Sequence, residues 1–408
     1  MAQPLCQPEE VPKFEPFTGV RYADHLPLVD VTAPPYDVLS PADRAALAAR
    51  HRVNIVHVDV PLESDGDGRY SIAANVYRSW LADGALQRDG HPSFYRHMMR
   101  FVDETGAPRA TVGFVGAIDV VPRGETGDVL PHEQTTPKAK TDRLDLTRAT
   151  ETNLSSVWGL SLADGFAGLL DLPATVVGSF TADDGVHHEV SRVLDRAAID
   201  RIRSTVGSAP VLIADGHHRY DIARTYQSEQ RAAHHGTGGA YDLTMMYVIE
   251  LAPEALFVQA IHRLLSGIPA GVDVPRRLDS FFTLEPAGPV DASFAAAVVH
   301  HGALCLVSPD GDGTFLTPRP GVFDGLRDLD SLRLEAALDG VPHDKRYQHG
   351  VDHVLGALAA AEAQWGVLLR PVPIAEIRRT ATEGALMPPK STFFAPKPPT
   401  GLVIRPLD

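Results

Sequence analysis

The sequence predicts a mixed α/β fold, on three observations. Apolar runs of strand length alternate with amphipathic stretches of helix length, with no repeat period. Gly and Pro supply 34 and 33 of the 408 residues, which points to many short elements joined by turns. One apolar run, Val211-Leu212-Ile213-Ala214, leads straight into Asp-Gly and a polar helix start, the junction where α/β sheets collect ligands.

In chain order, Ser40-Pro41 followed by an Ala-rich stretch reads as a helix, with Ser40 as N-cap and Pro41 in the first helical position. Residues 70–82 read as another helix, stopped near Gly84. Residues 94–102 and 110–121 read as strands joined by a polar turn, and a charge-dense stretch from His132 to Thr152 follows. Strands are expected at 157–163, 175–180 and 187–194, with Asp183-Asp184-Gly185 turning between the last two. A helix is expected at 196–206, then a buried strand from 209, a turn, a helix through 227 and an apolar strand at 241–252. Further on, strands are expected near 303–309 and 314–320, and helices near 291–300, 329–339 and 350–364; the last presents Val354, Leu355, Leu358 and Ala361 on one face. The tail from 385 to 408 reads as loop. A boundary near 265–290 is expected to divide the chain into residues 1–265 and 266–408, with the tail returning to the first part.

Composition narrows the functions. A 44% hydrophobic content is enough for a buried core, and no low-complexity tract argues for disorder. The charge sum, 37 − 52 = −15, argues against a general binder of nucleic acid or anionic membrane, while leaving room for a small cationic pocket. Cys6 and Cys305 have no ligand spacing, so a reduced, cytoplasmic protein is expected. The N-terminus lacks a signal-peptide pattern, and no apolar run reaches the roughly 18 residues of a membrane helix.

Four motifs carry chemistry. In Asp215-Gly216-His217-His218-Arg219, the helix start favours an anion, Gly216 permits close backbone approach, and Arg219 can grip a phosphate or carboxylate with two donors. The bland alternative is that Asp215 caps the helix and the histidines are surface residues. Between Pro131 and Arg143, Glu133 is a candidate general base beside His132 and Thr135, and Lys138, Lys140 and Arg143 are candidate phosphate neutralisers. A solvated loop entering a helix explains the same residues. Lys390-Ser391-Thr392 lacks the glycine spacing of a P-loop, leaving either a terminal clamp of Lys390, Ser391 and Lys397 or a tail that packs Phe393 and Phe394. Ala33-Pro34-Pro35-Tyr36-Asp37 can present Tyr36 and Asp37 rigidly, or simply turn the chain into the next helix. A zinc site from His132, His217 and His218 has no diagnostic spacing.

Together APPYDV, the HE-x-T…K…DR stretch, ADGHHRY, the His262-Arg263 pair and MPPKSTFF resemble, in order, the bacterial and archaeal family called domain of unknown function 1015, over about residues 14–408. One departure is Ala260-Ile261 where Pro-Thr is the family's pattern before His-Arg. The DGHHR element also resembles the phosphate-binding element of the ParB/sulfiredoxin superfamily, above all that of its free-serine kinases. This resemblance implies a ParB/sulfiredoxin-like core within a larger mixed-sheet body, and phosphoryl transfer from ATP or ADP, with Mg²⁺, to a small hydroxyl substrate such as free L-serine. It implies that Gly216, His217, Arg219, Lys138, Arg143, Lys390 and Ser391 hold the nucleotide phosphates. It further implies that Glu133, Asp215 and His218 are catalytic, with Asp215 on Mg²⁺ or orienting a histidine, and that Tyr36, Asp37, His132 and Thr135 bind substrate. The partners implied are a nucleotide and a small molecule, with neither nucleic acid nor membrane, in a chain that can pair as a homodimer. A ParB-like nucleotide-hydrolysing regulator and a metal-dependent hydrolase remain the alternatives.

Overall fold

The apolar runs of the first 250 residues assemble into one nine-stranded mixed sheet. It was obtained as a computed structural model that describes residues 12–103, 106–121, 129–131 and 141–408. Its strands are β1 (Phe14–Glu15), β2 (Phe94–Val102), β3 (Pro108–Asp119), β4 (Val129–Pro131), β5 (Val157–Ser161), β6 (Thr175–Thr181), β7 (His187–Val193), β8 (Val211–Asp215) and β9 (Leu243–Glu250). They lie in the order β4-β8-β5-β9-β3-β2-β7-β6, with β1 also on β3. The β8–β4 and β9–β5 pairs are parallel and the rest antiparallel.

Both faces of this sheet are covered, which explains why β8 reads as an unbroken apolar run. Leu212 and Ala214 enter one core with Trp158 and Tyr247. Val211 and Ile213 enter the other with Phe94, Phe114 and Met246. Helix Arg196–Val206 covers that second face with Ala198, Ile202 and Val206. A third core gathers helices Pro41–Arg50 and Arg69–Ala82 with helix Thr141–Thr150 through Leu47, Tyr77, Trp80 and Leu146.

The rest of the chain builds a second, antiparallel sheet. After β10 (Phe257–Gln259) come β11 (His262–Ser266), β12 (Phe282–Pro289), β13 (Leu304–Val307), β14 (Asp312–Pro318), β15 (Asp344–Gln348) and β16 (Trp365–Leu368), in the order β12-β14-β13-β16-β11-β15. The stretch at 265–290, expected as a boundary, holds helix Val274–Asp279, capped by Asp273, and then β12. One expected helix needs correction. The helix expected at 350–364 ends at Ala359, where Ala361 turns into a left-handed φ of 54°, and the chain re-enters as β16.

The tail is not a loose loop. Just before it, helix Ile374–Thr382 buries Ile377 and Ala381 in the first core. Strand β17 (Phe393–Ala395) pairs with β10, and Arg405–Pro406 pairs with Thr152–Asn153. Its prolines obscure helix and strand periodicity, yet its apolar residues Met387, Phe394 and Ile404 are buried. No described helix is long and apolar enough to cross a membrane.

Candidate functional site

The site begins where β8 ends. Gly216 takes φ 88°, a left-handed conformation that a residue with a Cβ adopts only under strain, and so turns the chain abruptly from Asp215 into the helix His217–Ala233. This turn brings Asp215 and Arg219 face to face: Arg219 Nη2 donates to Asp215 Oδ2 at 2.6 Å. The same guanidinium donates through Nη1 to the Ser156 carbonyl, at the entry to β5.

Lys397 completes the arrangement from the far end of the chain. Its Nζ lies 3.2 Å from Asp215 Oδ1 and 3.4 Å from Asp37 Oδ2. The result is a chain of alternating charges, Asp37–Lys397–Asp215–Arg219. Burial pushes the Asp215 carboxyl up, but Arg219 and Lys397 outweigh it and hold the group below the usual carboxylate range. Burial likewise disfavours the Arg219 charge, and Asp215 and Asp37 more than compensate.

A second tier lies beside the first. Arg143, on helix Thr141–Thr150, stacks its guanidinium 4.0 Å from the Tyr36 ring centre. It donates through Nη1 to Asp59 Oδ1 at 3.1 Å and through Nε to Asp142 Oδ2 at 3.1 Å. Burial raises the Tyr36 hydroxyl above its usual value, against the pull of Arg219 and Arg143.

Two cavities flank these charges. A groove of about 790 Å³ runs beside Lys397, lined by Pro35, Val38, Phe101, Phe180, Phe257 and Phe393. That size lies within the range of small-molecule and cofactor pockets. A much smaller cavity of about 60 Å³ is lined by Tyr36, Asp59, Arg143, Thr147, Ser155 and Arg219. The Pro35–Val38 turn contributes to both.

Of the residues singled out in the sequence, Tyr36, Asp37, Arg143, Asp215, Gly216 and Arg219 come together here, with Lys397 of the tail. His217 is buried at the helix start, close enough to Asp215 to draw its carboxyl down, and His218 follows it half-buried. Lys390 and Ser391 make different contacts. The exposed Lys390 gives its carbonyl to Arg263 Nη2, and Ser391 Oγ donates to the Pro388 carbonyl at 2.7 Å. His132, Glu133, Thr135 and Lys138 lie outside the described residues. Asp59 went unnoticed in the sequence, although a signal existed: it is the acid within the apolar run Val53–Val60.

Among the described residues no group of three or more His, Cys, Asp and Glu gathers as a metal site. Both oxygens of Asp215 already hold cations, so Mg²⁺ at this carboxylate would have to displace Lys397 or Arg219.

Comparison with known proteins places this geometry in context. The family model described as "Protein of unknown function (DUF1015)" matches residues 14–333. No curated protein matches the sequence. Among solved structures, a free serine kinase in complex with AMP is 15% identical, with a TM-score of 0.33, over 66% of this chain and 84% of that one. A conserved hypothetical protein from Pyrococcus furiosus is 13% identical, with a TM-score of 0.34, over 68% of this chain and 92% of that one. SbnI from Staphylococcus aureus, truncated at its C-terminus, is 12% identical, with a TM-score of 0.37, over 72% of this chain and 87% of that one.

Proposed function

The chain belongs to the DUF1015 family, and on that premise we propose that it is a kinase transferring a phosphoryl group from ATP or ADP to the hydroxyl of a small free metabolite, with L-serine the favoured acceptor. The observation that carries this reading is the placement of Lys397 between Asp37 and Asp215, with a nucleotide-sized groove on one side and a small polar cavity near the other end of the charge chain.

Phosphoryl transfer demands positioning and charge neutralisation more than covalent help from the protein. In this reading the nucleoside lies in the aromatic groove and its phosphates reach Lys397, Arg219 and the start of helix His217–Ala233, whose dipole favours anions. Gly216 lets them approach the backbone closely. Glu133 takes the acceptor's proton as its oxygen bonds to the terminal phosphorus, and the bridging phosphorus–oxygen bond to the nucleotide breaks. Lys397 and Arg219 meet the charge that develops on the leaving phosphate. Mg²⁺, when it arrives with the nucleotide, adds charge neutralisation.

The test is a thermal-shift panel of nucleotides, followed by a search for phosphate esters with free amino acids and sugars. ATP or ADP is expected to raise the melting temperature, because a ligand bound only by the folded state must do so. Lys397→Met is expected to weaken nucleotide binding by about 10- to 100-fold, the equivalent of the roughly 1.5–3 kcal/mol of a hydrogen bond to a charged group. Nucleotide hydrolysis without an ester product would favour a nucleotide-driven regulator instead. No response to any nucleotide would end both readings.

A further inference from the structure

One wall of the 790 Å³ groove is the two-stranded ribbon of β10 and β17, and strand alternation decides which side chains face it. Phe257 stands opposite Ala395, and Gln259 opposite Phe393. These four line the groove, whereas Val258 and Phe394 turn the other way into the core of the first sheet. Gln259 is half-buried, so its side chain is open to the groove.

The Gln259 carboxamide is uncommitted. Every other polar side chain described on this wall is already bonded within the protein, the charged ones in ion pairs or turn caps, Thr32 to a backbone carbonyl and His188 to His97. Gln259 alone makes no hydrogen bond to a described residue. A free carboxamide presents a donor and an acceptor side by side. Among Phe101, Phe257 and Phe393 it matches a flat aromatic ring that carries a donor–acceptor pair on its edge, which is the chemistry of a nucleobase. Its position fits a nucleotide as well. Lys397 Nζ lies 5.5 Å from the centre of the Phe393 ring, and Gln259 is the cross-strand neighbour of Phe393, so carboxamide and ammonium flank one aromatic side chain.

A single free carboxamide serves one donor–acceptor pair and no more. Adenine needs one such pair, its 6-amino donor with the ring-nitrogen acceptor beside it. Guanine brings a second exocyclic amine, which this wall would leave without an acceptor, and a desolvated polar group without a partner is costly. The kinase reading above lays the nucleoside in this groove but assigns nothing to read its base. Resting on that reading, we propose that Gln259 is the specificity-determining residue. Its carbonyl accepts from the adenine 6-amino group and its amide donates to the adjacent ring nitrogen, so that adenine nucleotides are taken and guanine nucleotides refused.

The experiment is calorimetric titration of the full-length chain and of Gln259→Leu with ADP, GDP, purine riboside 5′-diphosphate, which lacks the 6-amino group, and inorganic pyrophosphate, which lacks the nucleoside. The parent is expected to bind ADP at least about 10-fold more tightly than GDP or the purine riboside diphosphate, corresponding to about 1.4 kcal/mol. Gln259→Leu is expected to weaken ADP about 10-fold, bring the ADP-to-GDP ratio close to one and leave pyrophosphate unchanged. A residue that only shapes the groove would weaken ADP and GDP together and keep their ratio, and that result overturns the proposal. So does a parent that binds GDP or pyrophosphate as tightly as ADP, which leaves the phosphate end of the kinase reading standing. A parent that binds none of the four ends both. ADP selectivity through Gln259 without any phosphate ester would overturn the kinase reading and leave the base contact in place. If Gln259→Leu does not fold, the parent's ranking of ADP against GDP and the purine riboside diphosphate decides the matter alone.

Discussion

Gly216 shows how much one residue can decide. At φ 88° it costs little, whereas an L-residue held in this region costs roughly 1–2 kcal/mol. An added Cβ would also stand 2.9 Å from Arg219 Nε, while Arg219 is held by Asp215 and the Ser156 carbonyl. Gly216→Ala is therefore expected to lower stability by about 1–2 kcal/mol in urea unfolding and to reduce nucleotide affinity along with it. Unchanged affinity in a folded Gly216→Ala protein would show that Arg219 does not touch the phosphates. The Gly-after-Asp signal was legible because the need for a positive φ is local. Asp59 could be picked out as an acid in an apolar run, but its pairing with Arg143 could not, because the two meet only where helix Thr141–Thr150 sets Arg143 against it.

Elements were legible where one local rule ruled. Helix Arg196–Val206 lies where a helix was expected, and it is bounded locally: Asp195 caps it, its carboxylate accepting from Ala198 N at 2.9 Å, and Gly207 follows it. Asp195→Ala is expected to cost about 1 kcal/mol, observed as a lower urea midpoint with an unchanged slope. Strand β7 shows a cost that its pattern hides. His188 pairs with His97 of β2, Nδ1 to Nε2 at 3.1 Å, in the sheet's interior. Burial pushes His188 down to about 4 and His97 well below its usual value. Above pH 6.5 these rings are neutral in both the folded and unfolded chains. As the pH falls from 6.5 toward 4, the unfolded chain takes up protons that the folded one refuses, so stability declines. His188→Phe keeps a ring against Phe180 and is expected to make the decline in melting temperature over that window shallower. An identical pH profile would refute this.

At the scale of the molecule, the tail is what joins distant parts. Met387 and Phe394 anchor it in the core of the first sheet, β17 pairs with β10, and Arg263 of the second sheet grips the Lys390 carbonyl. His349 lies against Phe393 with the rings tilted by 37°, their centres 3.9 Å apart. With those anchors Lys397 reaches Asp215, 182 residues away in sequence. The acidic balance of −15 is compatible with this site, because its cations are few, half-buried and paired. By itself the sequence determined the mixed α/β class, the bounds of the well-capped elements, and the strand–Asp-Gly–helix junction. Each of these depends on periodicity, caps and backbone angles within a few residues. Only the tertiary structure decided that Lys397 closes the charge chain, that the Lys390 carbonyl meets Arg263, and that Asp59 lines a pocket. Ion pairing and desolvation depend on distance and burial, and those quantities are set by packing between segments far apart in the chain.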